Sequence, residues 1–254
     1  MLVYEFSVGA AGLMLALAAV APARAAELRV LSAEAPRDAL EAVAVQFTRE
    51  TGHRVTFAFM TAGQVRAGVD GGETADVAIA SPAFIAELAK SGKVVDTTNL
   101  GRIGLAVAVR EGAPAPDVSS TDAFVKALRA ARSVSYTNPT AGGTAGLYFA
   151  GLLQKLGIAD EINSKTVFSA GGRDAALKVA QGEAELGITF PSEILPVKGA
   201  KVGGMLPDAL QNYVTYVAAV PTASANRAAA RAYIAALTNA AAHDAWIKAG
   251  FEAP

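Results

Sequence analysis

Four short segments hold the residues whose types and spacing could bind a ligand. They are Ser32-Ala33-Glu34-Ala35-Pro36, Met60-Thr61-Ala62-Gly63-Gln64, Asn138 to Gly146, and Ser169-Ala170-Gly171-Gly172-Arg173. Each is small, polar or glycine-rich, and each opens a stretch with helical spacing. The N-terminus of a helix presents free N–H groups and a partial positive charge, so it holds anions. Glycine lets the main chain come close to a ligand. Most such loops are plain turns and caps, but four at equivalent places carry more than one. Ser32, Thr61, Thr140 and Thr144 add hydroxyl donors, and Arg37, Arg66 and Arg173 add charge. A guanidinium matches a carboxylate with two parallel hydrogen bonds, so a cleft arginine favours an organic carboxylate. Arg173 follows two glycines at a helix start and is the best placed, although an exposed arginine is the default. Arg37 and Arg66 read as surface residues. Glu34 has two readings. It is an acid in a first helical turn, pointing outward, or it is a catalytic base beside cationic clamps.

The elements that position these loops follow from periodicity. Leu28–Leu31, Val55–Phe59 and Asp76–Ala80 read as strands, and the segments 36–50, 64–69 and 82–91 read as helices. A β-α-β-α-β order implies a parallel sheet with helices on both faces. Ile103–Val109 reads as one apolar strand leading into the Pro-rich segment Ala113–Pro116. A second series follows: strands at 133–136, 166–168 and 186–190, and helices at 143–156 and 173–181. Tyr213–Val220 is an apolar strand that returns the chain, and 225–238 and 240–249 are closing helices. The expected fold class is α/β. It has two lobes, each a mostly parallel sheet flanked by helices, joined by two crossing strands. Residues 26–107 with 218–254 form the first lobe and 108–217 the second. Ligands in such sheets sit beyond the carboxyl ends of the strands, so two facing lobes make one cleft that closes by a hinge.

The chain has 254 residues, a net charge of -1, 18% charged residues and no cysteine. Near-zero charge gives no long-range pull on nucleic acid. The lack of cysteine excludes disulfides, thiolate metal sites and a cysteine nucleophile. His53 and His243 are far apart and make no metal constellation, so neither metal nor cofactor is expected, and Trp246 reads as core. Val8–Val20 is apolar but too short to span a bilayer. It precedes Ala23-Arg24-Ala25, the small residues a signal peptidase accepts. Residues 1–25 are therefore expected to be a signal peptide, with the mature chain in the periplasm. The stretch before the apolar run holds Glu5 and no Lys or Arg, which is atypical for such a leader.

Several longer pieces resemble the periplasmic molybdate-binding proteins of ABC importers. They are LRVLSAEAPRDALEAVAVQFTRETGHRV, GGETADVAIAS, GTAGLYFAGLLQKLGI, GRDAALKVAQGEAELGI and the terminal AGF. The resemblance covers essentially the whole mature chain. It implies the type II periplasmic-binding fold, a monomer, a small anionic ligand, and delivery to a membrane permease and ATPase. The family's hydroxyl ligands would fall on Ala35, Gly63 and Phe190, where this chain has none, and its amide donors on Ala145 and Gly172. A buried anion needs its oxygens satisfied, at roughly 1–3 kcal/mol per lost partner. The expected ligand is therefore a small polycarboxylate rather than a molybdate-type oxyanion. The expected ligand-binding set is Ser32, Ala35, Thr61, Gly63, Thr144, Ala145, Gly172, Arg173 and Phe190. Aconitate isomerase is a relative of this family, so an exported isomerase with Glu34 as base is the alternative. A sensor subunit is a third reading.

Overall fold

The structure, a computed structural model, describes residues 25–254. The expected signal peptide lies almost wholly outside the described residues. The first half of the first sheet is built as the alternation requires. Strand β1 (Glu27–Ala33) lies between β2 (Arg54–Met60) and β3 (Val77–Ala80), parallel to both. Helix α1 (Arg37–Thr51) connects β1 to β2 and buries Ala39, Leu40, Val43, Ala44 and Phe47 on one face, the 3.6-residue stripe read from the sequence. Gly52 ends it in the left-handed region at φ 75°. Helices α2 (Ala62–Asp70) and α3 (Pro82–Lys90) follow β2 and β3.

Strand β4 (Val94–Ile103) then forms the far edge of this sheet, and β5 (Ala106–Arg110) belongs to a second one. The single strand expected over 103–109 is thus two strands broken at Gly104-Leu105. The break is held from a distance. The Gln211 side chain accepts from Leu105 N at 2.7 Å and donates to Leu105 O at 2.9 Å. Helix α4 (Thr121–Ala130) leads to β6 (Val134–Ser135), and helices α5 (Thr144–Lys155) and α6 (Ala159–Asn163) follow. The strand expected at 166–168 is reduced to isolated bridges from Thr166 and Ser169 to Val134 and Thr137. Helix α7 (Gly172–Gln181), β7 (Leu186–Thr189), α8 (Pro191–Ile194) and β8 (Ala200–Met205) complete this part.

The second sheet has the order β6-β7-β5-β8. Its β6-β7 pair is parallel, but β5 runs antiparallel to both β7 and β8. It is therefore mixed rather than mostly parallel, because β5 enters from the first sheet in the opposite sense. Strand β9 (Val214–Pro221) returns to the first sheet, whose order is β2-β1-β3-β9-β4, and lies antiparallel to β3 and β4. The chain thus crosses between the sheets twice, between Ile103 and Ala106 and between Met205 and Val214.

Helices α9 (Arg227–Thr238) and α10 (His243–Lys248) close the first lobe. Trp246 is buried there and donates from Nε1 to Leu237 O at 2.8 Å, and Tyr233 donates to Leu40 O at 2.9 Å. Burying these rings with their polar tips satisfied ties the C-terminus to α1. His53 accepts from Ala26 N at 2.9 Å through Nδ1, a structural role. Among the described residues, no helix is long and apolar enough to cross a membrane.

Candidate functional site

A cavity of about 290 Å³ lies where loops from the two sheets meet. It is lined from the first lobe by Ala33, Glu34 and Ala35 and by the turn from Phe59 to Ala62. From the second lobe come Gly143, Thr144 and Ala145 at the start of α5, Gly171, Gly172 and Arg173 at the start of α7, and Phe190 and Glu193 after β7. Tyr216 of β9 forms part of the wall.

Four helix starts reach this region, and they are not equivalent. Helix α2 caps itself: the Thr61 hydroxyl accepts from Gln64 N, and Gln64 Oε1 accepts from Thr61 N at 2.9 Å. Helices α1, α5 and α7 have no side-chain cap at Pro36, Gly143 and Gly171. First-turn N–H groups that no side chain covers are the donors an anion uses.

Of the residues expected to touch the ligand, Ala35, Thr61, Thr144, Ala145, Gly172, Arg173 and Phe190 line the cavity, and so does Glu34. Two others do not. Ser32 is fully buried and donates to Ala33 O at 2.9 Å. Strand β1 runs on through Ala33, so Ser32 sits inside the sheet rather than in the loop beyond it. Gly63 instead packs against Gly142, with its N–H bonded to Gly142 O at 3.1 Å. The Thr61 hydroxyl bonds to Ala141 O beside it. Together these contacts join the two lobes beside the cavity. Thr140 bonds to Asn138 and stays outside the cavity, and Arg66 pairs with Asp70 on the surface at 2.9 Å.

Arg173 reaches across the cleft. Its guanidinium pairs with Asp38 at 2.8 Å, and its Nε stands 3.5 Å from Glu34 without forming a hydrogen bond. Glu34 is held on both oxygens by Arg37, at 3.0 and 2.9 Å, and Arg37 lies 4.1 Å over the Phe59 ring. Glu34 is therefore turned into the cavity wall, where it pairs with Arg37.

The residue missed in the sequence is Glu193. It is buried in the first turn of α8, where it accepts from the Thr189 hydroxyl and from Phe190 N at 3.4 Å. Burial, and secondarily the charge of Glu34, pushes its carboxyl up to about 7, against the opposing pull of Thr189, Phe190 N–H and Arg173. Tyr216 is likewise raised, first by burial and then by Glu193. The Thr144 hydroxyl lies close enough to oppose that shift slightly, yet it makes no hydrogen bond of good geometry. A proline and an acid directly after a buried strand, Phe190-Pro191-Ser192-Glu193, were the available signal.

A second hollow, lined by Pro114, Pro116, α4 and Glu185, has Asp117, Asp122 and Glu185 against one cation, Lys126, and offers an anion little. Among the described residues, no group of three His, Cys, Asp or Glu is arranged to hold a metal ion.

Comparison with known proteins agrees with this architecture. The chain is 28% identical to the molybdate-binding protein ModA of Escherichia coli over 215 residues, covering 83% of each. It is 33% identical to an aconitate isomerase of Pseudomonas sp over 164 residues, which are 64% of this chain and 61% of that protein. Among solved structures, the Azotobacter vinelandii periplasmic molybdate-binding protein superposes with a TM-score of 0.73 at 22% identity, over 89% of this chain and 99% of that one. The sulfate-binding protein SubI of Mycobacterium tuberculosis gives 0.73 at 20% identity, over 90% and 87%. These likenesses show the two-lobed fold. The model of the bacterial extracellular solute-binding proteins matches residues 28–252, and with that match over nearly the whole described chain, the protein belongs to this family.

Proposed function

We propose that this protein is an exported binding protein that captures a small polycarboxylate in the cleft and delivers it to the permease and ATPase of an ABC importer. The observation that carries this reading is the convergence of uncapped helix starts and Arg173 on one cavity. The volume lies at the low end for ligand pockets, roughly 300–1,000 Å³, which suits a small solute. The relatives named for molybdate, sulfate and aconitate all concern anions, and the family role implies export and a membrane importer.

The preference for a carboxylate rests on the chemistry of the donors. Ala35, Gly63 and Phe190 bring no hydroxyl, while Arg173 offers a planar fork of N–H donors. Asp38 pairs with one end of that fork and Nε has no hydrogen-bond partner, which leaves donors for a ligand carboxylate. Isothermal titration against tricarballylate, aconitate, succinate, molybdate and sulfate tests this. Carboxylates should bind more tightly than the tetrahedral ions. Arg173→Ala should weaken them at least about tenfold, since a hydrogen bond to a charged group is worth roughly 1.5–3 kcal/mol. Micromolar molybdate binding that Arg173→Ala leaves unchanged would overturn the carboxylate preference.

One observation favours an isomerase instead. Glu193 and Tyr216 are two proton-bearing groups on the wall of the same cavity, in a chain one-third identical to an aconitate isomerase over the matched segment. Moving a double bond in a tricarboxylate requires one group to take an allylic proton and one to return it. Glu193 is better placed for this than Glu34, whose oxygens Arg37 holds. Conversion of cis- to trans-aconitate by wild type, abolished in Glu193→Gln, would favour the enzyme; no turnover would leave the binding protein.

A further inference from the structure

We propose that Glu193 decides which anions the cleft accepts, by holding a proton while the anion is bound and so offering it an O–H donor in place of a negative charge. The inference rests on the anion-capture reading above and concerns the same cavity.

The geometry leaves the carboxyl little choice. Glu193 is 5% exposed. Both hydrogen bonds that it accepts end on Oε2, which leaves Oε1 for the cavity that the residue lines. A Cβ added to Gly172 would lie 1.9 Å from Oε2 and 2.2 Å from the Thr189 hydroxyl. The absence of that Cβ is what allows the carboxyl to press against the uncapped start of α7, beside the N–H groups that would meet an anion.

The surrounding charges oppose ionisation once an anion is present. Glu34 faces Glu193 from the loop after β1, and Asp174 lines the same cavity from α7. Arg173, the cation of the cavity wall, works the other way and favours the ionised form, but it also pairs with Asp38 and is where a ligand carboxylate would bind. Tyr216 from β9 and Thr144 from α5 are neutral neighbours. A bound anion adds negative charge and excludes water, and both effects favour the protonated form of a buried carboxyl. In that form Glu193 donates to the ligand, and an O–H···O⁻ bond to a carboxylate is among the stronger kinds. Left ionised, Glu193 would repel every anion without discrimination. A carboxyl titrating near neutrality can be in either state at ordinary pH, so binding of an anion should draw in a proton.

The test is calorimetry of wild type and Glu193→Gln with tricarballylate and with molybdate, each in two buffers of different ionisation enthalpy, between about pH 7 and 9. Wild type should take up about half a proton per anion at pH 7, rising toward one at the alkaline end, where its affinity should fall roughly tenfold per pH unit, the limit for one linked proton. Glu193→Gln should bind with no proton uptake and a flat profile. Thr189→Val, which removes a hydrogen bond to the ionised form, should move the midpoint of the profile to higher pH. Tricarballylate binding without proton uptake overturns the inference and leaves the carboxylate reading intact. Proton uptake with molybdate alone, abolished in Glu193→Gln, overturns the carboxylate reading and upholds the role of Glu193. Identical profiles in wild type and Glu193→Gln, or binding of neither anion, overturn the inference.

Discussion

Replacing Glu193 with glutamine should change the stability of the ligand-free protein in a manner that reverses with pH. The carboxyl ordinarily titrates near 4.5 and is pushed up to about 7 in the fold, chiefly by burial. Between those values the folded chain holds a proton that the unfolded chain has released. Stability therefore falls as pH rises through this window. At about 1.4 kcal/mol for each tenfold change, the full span is worth roughly 3 kcal/mol, present below about pH 4.5 and lost above about pH 7. Glutamine has no charge to bury. At pH 5 the variant should be no more stable than wild type, because its amide fits less well against the Thr189 hydroxyl and Phe190 N–H. At pH 8.5 it should be more stable, by up to roughly 3 kcal/mol less that hydrogen-bonding loss, which for a chain of this size is of order 5–10 °C in Tm. Thermal unfolding followed by circular dichroism at several pH values gives the difference directly, and subtracting the two curves removes the other titrating groups. A constant difference between variant and wild type from pH 5 to 8.5 would refute the reasoning.

Three further outcomes follow from other contacts. Gly142 holds φ 72°, and an added Cβ would stand 3.0 Å from Gly63 Cα, so Gly142→Ala should cost about 1–2 kcal/mol and wedge the lobes apart. A larger radius of gyration in small-angle scattering, with anion binding weakened several-fold, is the expected result. Gln211→Ala should leave the N–H of Leu105 unpaired at the crossing, while its C=O keeps the bond from Leu206 N–H, at a cost of about 1–3 kcal/mol. Hydrogen exchange at Leu105 and Ala106 should accelerate, and an unchanged rate would mean that Gln211 does not hold the break. Expression from the natural start should yield an exported protein whose first residue is at or within a residue or two of Ala26, read by N-terminal sequencing; an intact Met1 would refute the leader.

Much of the framework was legible because it is local. The stripe of α1 and the apolar runs of β3 and β9 carry their own periodicity, and the helix starts at Gly143 and Gly171 follow from glycine-rich loops. What was not legible depends on partners remote in sequence. The run from Ile103 to Val109 is apolar throughout, and its division at Leu105 is made by Gln211, which lies 106 residues further on. Strand β8 holds Gly203 and Gly204 and so shows no alternation, yet it pairs with β5. Within the site, the placing of Arg173 and of the α5 and α7 starts at the cleft was readable. Ser32 was not readable as a buried strand residue, because nothing local shows that β1 continues to Ala33. Glu193 resembles any acid in a first helical turn. Its importance comes from the missing Cβ of Gly172 and the neighbouring Tyr216, which only the assembled cleft reveals.

The seam between Gly63 and Gly142 separates two tasks that a carrier must perform at once. Neither glycine lines the cavity, and the atoms that join there are a peptide N–H and a peptide carbonyl. The glycine pair joins the lobes through backbone alone, while the Thr61 hydroxyl, which lines the cavity, bonds to Ala141 O beside it. Arg173 and Glu193 line the cavity and take no part in this glycine contact, so exchanging them would leave it in place.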